Sequence, residues 1–301
     1  MNTLYVMVGL SGSGKSTIAK TMAKFHNLDL ISSDNIRAEL SFYEDQSRNA
    51  EVFEILHKRI RDGLNAGHNV VADATNITLK SRKQIIDIAK RIPNVEIVAV
   101  VVATPWYGCI ARDTGREHEV GLEVQERQKK KFEVPFYEEG FDDIILVKTM
   151  GLNFCTDGWL DDEYNKMRGF NQMTHYHSDN LLTHCLKTAT AFMEMYPPRL
   201  RDGAFYHDIG KLQTRTEKAN GECQYLYHAN VGAYDYLTYK LYESTTSVKD
   251  YKNILENTFL INYHMRPFDW KLPKTHDKYK ALFGEDKYNM LLDFHECDCL
   301  R

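Results

Sequence analysis

The stretch Gly9-Leu10-Ser11-Gly12-Ser13-Gly14-Lys15-Ser16-Thr17 follows directly on the apolar run Leu4-Tyr5-Val6-Met7-Val8. A strand, a glycine-rich turn and a helix beginning near Lys15 form the context in which GxxxxGK[ST] binds a polyphosphate. The glycines let the backbone wrap the ligand, with successive N–H groups aimed at its oxygens. Gly9, Ser11, Gly12, Ser13, Gly14, Lys15, Ser16 and Thr17 are therefore the expected nucleotide contacts. Lys15 would reach the β- and γ-phosphates, and the Ser16 hydroxyl would help to hold Mg²⁺. ATP or another nucleoside triphosphate is implied, and the acceptor is left open.

Outward from this loop, the first half alternates strands and helices. Strands are expected at 3–8, 28–32, 69–73, 95–103 and 143–148, and helices at 15–25, 34–41, 48–65, 79–91, 105–113 and 120–132. Apolar, β-branched strands in this alternation predict a parallel sheet covered on both faces. Its ligands belong at the carboxyl ends of the strands. Residues 151–169, with glycines at 151, 158 and 169, read as a connection. From about residue 170 the apolar spacing becomes helical. The organisation expected is a domain at 1–150, a linker at 151–169 and a helical domain at 170–301.

Composition excludes several classes. The 301 residues are 43% hydrophobic and 27% charged, with a formal net charge of −4. No apolar stretch is long enough to span a bilayer. The amino terminus lacks the layout of a signal peptide. Six scattered cysteines beside an ATP site fit a reduced setting, so a cytoplasmic location is expected, or a host's cytoplasm if the chain is phage-encoded. The Cys297-Asp298-Cys299 triplet is a weak metal motif. Neither half is basic, so contact with nucleic acid would be local.

Three features of the first half narrow the chemistry. Asp34, in Ser32-Ser33-Asp34-Asn35-Ile36-Arg37, would face the loop across the crevice and could take the proton of an attacking hydroxyl. Arg37, a turn on, could grip an acceptor phosphate. A helix cap at Ser33 or Asp34 is compatible with both. Asp73, in Val70-Val71-Ala72-Asp73-Ala74-Thr75-Asn76, could order the magnesium shell or the acceptor, or simply belong to a polar turn. Arg112 and Arg116 are four apart; on one helix they would share a face and could close over the phosphates as a lid. The basic run Arg127–Lys131 reads more readily as a solvated helix face than as a contact with nucleic acid.

Taken in order, GxxxxGKS, Asp-x-x-Arg, Asp-x-Thr-Asn and Arg-x-x-x-Arg resemble the phage-type 5′-hydroxyl polynucleotide kinases over residues 1–150. The resemblance implies that Asp34 is the general base on a 5′-hydroxyl, that Arg37 binds near the acceptor phosphates, and that Arg112 and Arg116 hold those of ATP. Where such lids often carry Val-Pro, this chain has Val120-Gly121.

Eight of the twelve histidines lie after residue 170, which points to metal chemistry there. Phe205-Tyr206-His207-Asp208-Ile209-Gly210-Lys211 has His184 upstream, His228 and His264 downstream, and Asp298 near the end of the chain. This order resembles the HD-domain metal-dependent phosphohydrolases over residues 170–301. The resemblance implies an all-α HD domain following the α/β P-loop kinase domain. It implies that His184, His207, Asp208 and Asp298 bind one divalent ion (Mn²⁺, Co²⁺, Ni²⁺, Fe²⁺ or Mg²⁺). His228 and His264 would serve a second ion or the phosphate, which Lys211 would face. Asp293 is a competitor for Asp298. His175 and His177 read equally as substrate contacts or as helix-start residues. The six tyrosines of 225–242 read as helix packing rather than a stacking platform.

Together the two resemblances imply a bifunctional enzyme that heals broken nucleic-acid ends, RNA favoured over DNA, ahead of a ligase, with no membrane partner. It would phosphorylate a 5′-hydroxyl and remove a 3′-phosphate or open a 2′,3′-cyclic phosphate. A nucleoside, nucleotide or modified-base kinase with a nucleotide-hydrolysing HD domain is the alternative, and an ATP-gated regulator without catalysis a third.

Overall fold

A computed structural model describes residues 1–40, 48–116, 118–149, 159–174, 179–243 and 248–299. The chain divides into two compact units: residues 1–128 with 135–152, and residues 129–134 with 153–301.

The first unit is built on five parallel strands in the order β2-β3-β1-β4-β5: β1 (Asn2–Val8), β2 (Asp29–Ser32), β3 (Val70–Asp73), β4 (Val95–Ala103) and β5 (Asp143–Lys148). β1 lies at the centre, with Val6 in register with Ala72 on one side and Ala99 on the other. Leu4, Val6, Met7, Val8 and the whole of 97–103 are buried. A strand covered on both faces reads as a continuous apolar run, which is what β4 shows. The connecting helices are α1 (Lys15–His26), α2 (Ser33–Glu39), α3 (Asn49–Asn65), α4 (Leu79–Ala89), α5 (Trp106–Asp113) and α6 (Leu122–Lys129). α3 buries Val52, Leu56, Ile60 and Leu64, a stripe at four-residue spacing. α4 starts in a capping box, Thr78 and Ser81 each bonding the other's backbone N–H. All five expected strands form within a residue of the expected bounds. The position of residue 41, expected at the end of the second helix, lies outside the described residues.

This topology sets the carboxyl ends of β1, β2 and β3 side by side. Leu30 pairs with Val71 and Tyr5 with Val71, so Gly9–Gly14, Asp34 and Asp73 emerge at one edge.

The second unit contains α7 (Trp159–Gly169), α8 (Leu181–Met193), α9 (Arg201–Phe205), α10 (Lys211–Thr214), α11 (His228–Glu243), α12 (Val248–Tyr263) and α13 (Pro273–Asp298). It is mostly helical, but not all-α as expected. Thr216–Glu217 (β6) and Cys223–Gln224 (β7) pair in an antiparallel hairpin. The turn between them uses Gly221 at φ 82, a conformation that favours glycine. The expected linker is corrected as well. Its second part, Trp159–Gly169, is a helix with Met167 fully buried against Leu181, Leu182 and Cys185. Gly210 and Gly232 let backbones approach closely. A Cβ on Gly210 would stand 2.1 Å from the carbonyl oxygen of His228.

Residues 129–134, expected in the first domain, pack inside this second unit. Phe132 lies edge-on to Tyr234 with ring centres 5.1 Å apart. Its carbonyl accepts from Asn230 and Asn262. Lys129, expected on a solvated face, is buried and paired with Asp235 at 2.7 Å, with Gln213 bonded to both. A buried ion pair is tolerated when its remaining valences are met, and the Gln213 amide meets them. Replacing Lys129 by Ala would leave the Asp235 carboxylate buried without its cation. The helical unit is expected to lose about 3–5 kcal/mol of stability, read from its urea transition.

Candidate functional site

In the first unit the loop leaves β1 at Gly9, turns through Gly12 at φ 79 and Gly14 at φ 96, and enters α1 at Lys15. A Cβ on Gly12 would stand 2.2 Å from the carbonyl oxygen of Cys109, so only glycine fits there. Lys15 is buried, and its ammonium donates to the carbonyl of Leu10 at 2.8 Å. Burial lowers its pKa; the charges of Asp73, Cys109 and Asp34 oppose that, and Arg116 adds to it. Lys15 thus lies within reach of the charges of Asp73, Asp34 and Arg116.

Asp73 is buried at the end of β3 and accepts from the Ser32 hydroxyl at 3.3 Å. Asp34 stands in the first turn of α2, its side chain half exposed, and receives Arg37 at 3.1 Å. Arg37 also donates to Asn49 at 2.7 Å. The Asp34 carboxylate is thus half open, while Arg37 is mostly buried and anchored by Asn49. No side-chain cap forms at the start of α2.

The two lid arginines depart from expectation. They do not share a helix face, because α5 ends at Asp113 and Gly115 turns the chain at φ 82. Arg112 Nη1 donates to the carbonyl of Ser13 at 3.1 Å and to Thr149 Oγ1 at 2.8 Å, bracing the loop from outside. Arg116 is 45% exposed and lies 3.4 Å from Asp113. Of the pair, Arg116 has the freedom to approach a phosphate. Sequence reasoning missed Gln128. Its side chain accepts from the Ser11 N–H at 2.8 Å and donates to the Ser11 hydroxyl at 2.9 Å. Nothing in the local spacing marks it, since it lies 117 residues away from the loop.

The second unit gathers the histidines and acids named from sequence. Asp208 Oδ2 lies 3.3 Å from His184 Nε2 and 3.2 Å from His207 Nε2. Asp298 Oδ1 lies 3.0 Å and 3.1 Å from the same two nitrogens. On its other side, Asp208 Oδ1 lies 3.1 Å from His228 Nε2 and 3.6 Å from His264 Nε2. Two sets with metal-binding spacing result, His184/His207/Asp208/Asp298 and Asp208/His228/His264, sharing Asp208. Cys297 and Cys299 belong to neither. Asp293 is engaged elsewhere, accepting from the Tyr196 hydroxyl, and Asp298 is the carboxylate that lies beside the two histidines. His175 and His177 lie outside the described residues.

The donor set suits a cation. Ligands about 2.1 Å from one ion stand roughly 3.0–3.4 Å apart at tetrahedral or octahedral angles, and all of these separations but the 3.6 Å from His264 fall there. Asp298 Oδ1 is buried yet makes no hydrogen bond, although two imidazole nitrogens are near it. That geometry is wrong for N–H donation and right for a shared ion. The remaining ring nitrogens are held by backbone: His207 Nδ1 on the carbonyl of Ala204, His228 Nδ1 on that of Tyr225 and His264 Nδ1 on that of Ile261. These bonds fix the tautomer that presents Nε2 inward.

Without an ion the cluster strains its own protons. Burial pulls the His207 imidazole down, but Asp208, Cys185 and Asp298 override it and hold it well above its usual value. His184 is likewise raised by the neighbouring Asp208 and Asp298 carboxylates against burial. Burial pushes Asp208 and Asp298 up, yet Lys211 and His207 for the first, and His207 and His184 for the second, hold both carboxylates well below the ordinary range. Lys211 Nζ reaches Asp208 at 2.6 Å and Gln172 Oε1 at 2.8 Å. Gln172 is fully buried and was not anticipated; Tyr225 donates to its carbonyl.

Residues 4–135 match a family model described as an AAA domain. The first unit is a P-loop nucleotide-binding domain. Solved structures overlap about half of the chain at low similarity. One is a putative kinase from Chloroflexus aurantiacus, with 14% identity over 49% of this chain and 85% of that one and a TM-score of 0.43. Another is a sugar kinase from Janibacter sp., with 18% identity, 49% and 85% coverage and a TM-score of 0.38. A third is a gluconokinase from Sinorhizobium meliloti, with 16% identity, 50% and 84% coverage and a TM-score of 0.37. Likenesses this low say nothing about what this chain acts on. No curated protein matches it. Among the described residues, no helix is long and apolar enough to cross a membrane.

Proposed function

We propose that this chain is a two-site phosphoryl enzyme: an ATP-dependent kinase of a polynucleotide 5′-hydroxyl, joined to a metal-dependent HD phosphohydrolase acting on a 3′-phosphate or a 2′,3′-cyclic phosphate. The observation that carries the reading is the pairing of two sites on one chain: Asp34, paired with Arg37 and acting on the charge of Lys15, and Asp208 shared between two ligand sets with Lys211 upon it.

In the kinase step the acceptor hydroxyl loses its proton to Asp34 as its oxygen bonds to the γ-phosphorus, and the bond from that phosphorus to the β-bridging oxygen breaks. Arg37 orients the acceptor, while Lys15 and Arg116 offset the charge that builds on the phosphoryl oxygens. Arg112 keeps the Ser13 turn in place for them. Mg²⁺, which Ser16 would help to hold, supplies further charge neutralisation.

In the hydrolytic site His184, His207, Asp208 and Asp298 would hold one divalent cation, and Asp208, His228 and His264 a second. Such ions supply Lewis acidity toward a phosphate ester. Lys211 neutralises the phosphate oxygens, and Gln172 holds its ammonium in place. Removing the phosphate from one end while adding it to the other prepares both ends for a ligase, a soluble partner of the same compartment.

A second reading, kinase of a small hydroxylated molecule, is favoured by the absence of any global basic character, the net charge being −4. Transfer of labelled γ-phosphate from ATP to 5′-hydroxyl RNA, 5′-hydroxyl DNA, nucleosides and simple sugars separates the two. Label on oligonucleotide ends, RNA above DNA, is the expected result. Label confined to nucleosides or sugars would replace the polynucleotide reading by the second.

A further inference from the structure

One element of the first unit has no part in the chemistry above and yet touches the phosphate loop. Asn76 is 2% exposed and holds a left-handed backbone, φ 45, which asparagine tolerates better than most residues. Its Nδ2 donates to the carbonyl of Met7 at 2.9 Å. The preceding carbonyl, that of Thr75, accepts from the Gly9 N–H at 3.0 Å. These two bonds grip the chain on either side of Val8, where β1 becomes the loop.

The turn is itself held. Arg82, with no exposed surface, donates Nη1 to the carbonyl of Asn76 at 3.2 Å. Its Nε and Nη2 grip Glu139 as a fork, both bonds 2.7 Å. Glu139 is fixed in turn by the Phe136 N–H at 3.2 Å. A buried, bidentate guanidinium–carboxylate pair is geometrically rigid. Asn76 Oδ1 is buried without a hydrogen-bond partner. A buried acceptor lacking a donor is costly, so stability alone does not explain an amide here.

We propose that Asn76 is a positioning residue for nucleotide binding, with Arg82 and Glu139 as the strut that holds it. The strut sets where the first glycine of the loop leaves the sheet. A loop that binds through backbone N–H groups depends on where those groups point, and small displacements are expensive. The inference rests on the reading of Gly9–Thr17 as a nucleotide site.

The test is binding of a fluorescent ATP analogue with Mg²⁺ by the whole chain, beside thermal melting without nucleotide. Asn76→Gly keeps the left-handed backbone and removes only the amide. Asn76→Asp keeps the shape and sets a carboxylate oxygen against the Met7 carbonyl. Arg82→Lys keeps the charge on Glu139 and removes the fork. Each Asn76 variant is expected to weaken binding about tenfold while still folded at the assay temperature, and Arg82→Lys to weaken it severalfold, as loss of one well-placed hydrogen bond implies. A merely structural role would lower the melting temperature and leave the affinity of the folded variant unchanged. That result, in whichever variants remain folded, overturns the proposal. Failure of the unaltered protein to bind the analogue would instead remove the nucleotide reading, and the inference with it.

Discussion

Asp208→Ala is expected to strip the helical unit of divalent metal altogether, whereas His264→Ala should remove only part of it. The difference follows from geometry. Asp208 presents one carboxylate oxygen to His184 and His207 and the other to His228 and His264, so its loss breaks both ligand sets. His264 belongs to one set alone. Metal content after purification, measured by plasma mass spectrometry, reads this directly. Activity on 3′-phosphate and 2′,3′-cyclic ends should fall about a hundredfold or more with Asp208→Ala. Equal metal content in the unaltered protein and Asp208→Ala would sink the two-set reading. Metal uptake should also release protons. His184 and His207 are held protonated beyond their usual range when no ion is present, and a metal requires them neutral. Affinity should therefore climb with pH through and above neutrality, and calorimetry in buffers of different ionisation enthalpy should show proton release. For the metal-free chain, the raised His207 adds stability that is full below about pH 6.5 and is lost as pH rises through its raised value. Depressed Asp208 adds stability above its ordinary carboxylate range, lost as pH falls through its lowered value.

Lys15→Ala and Asp34→Asn are expected to abolish phosphoryl transfer by different routes. Lys15 lies within the loop and is its buried cation; losing it should impair both nucleotide affinity and transfer. Asp34 stands on α2, its partner Arg37 rather than any loop atom. Asp34→Asn should bind ATP as well as the unaltered chain and lose transfer by about 10²–10⁴-fold, the range of a general base. Measuring the affinity and the transfer rate of both variants separates the roles. Retention of transfer by Asp34→Asn would exclude it as the base and turn attention to Asp73, the other carboxylate acting on Lys15.

The strands were legible because a sheet buried on both faces demands unbroken apolar runs, and Val95–Ala103 has few other readings. The phosphate loop was legible because its chemistry is backbone chemistry and local: glycines, lysine and serine lie within nine residues. The gathering of His184, His207, Asp208, His228, His264 and Asp298 was legible as a composition and an order, because these residue types at that order point to one chemistry. Its sharing of Asp208 was not, since that depends on which oxygen of one carboxylate faces which helix. The lid arginines were misread for a related reason. Helical spacing places Arg112 and Arg116 on one face only while the helix lasts, and it stops at Asp113.

What the sequence by itself determined is the set of reactive groups and the kind of element carrying each. Periodicity and ligand chemistry are properties of neighbouring residues. What only the tertiary structure decided is which distant groups hold those elements in place: Gln128 on Ser11, Gln172 on Lys211, and Glu139 through Arg82 on Asn76. It also decided that 129–134 packs with the helices, where Lys129 finds Asp235 across 106 residues. A buried polar group must find its partner wherever the fold brings one, and no local pattern records where that is.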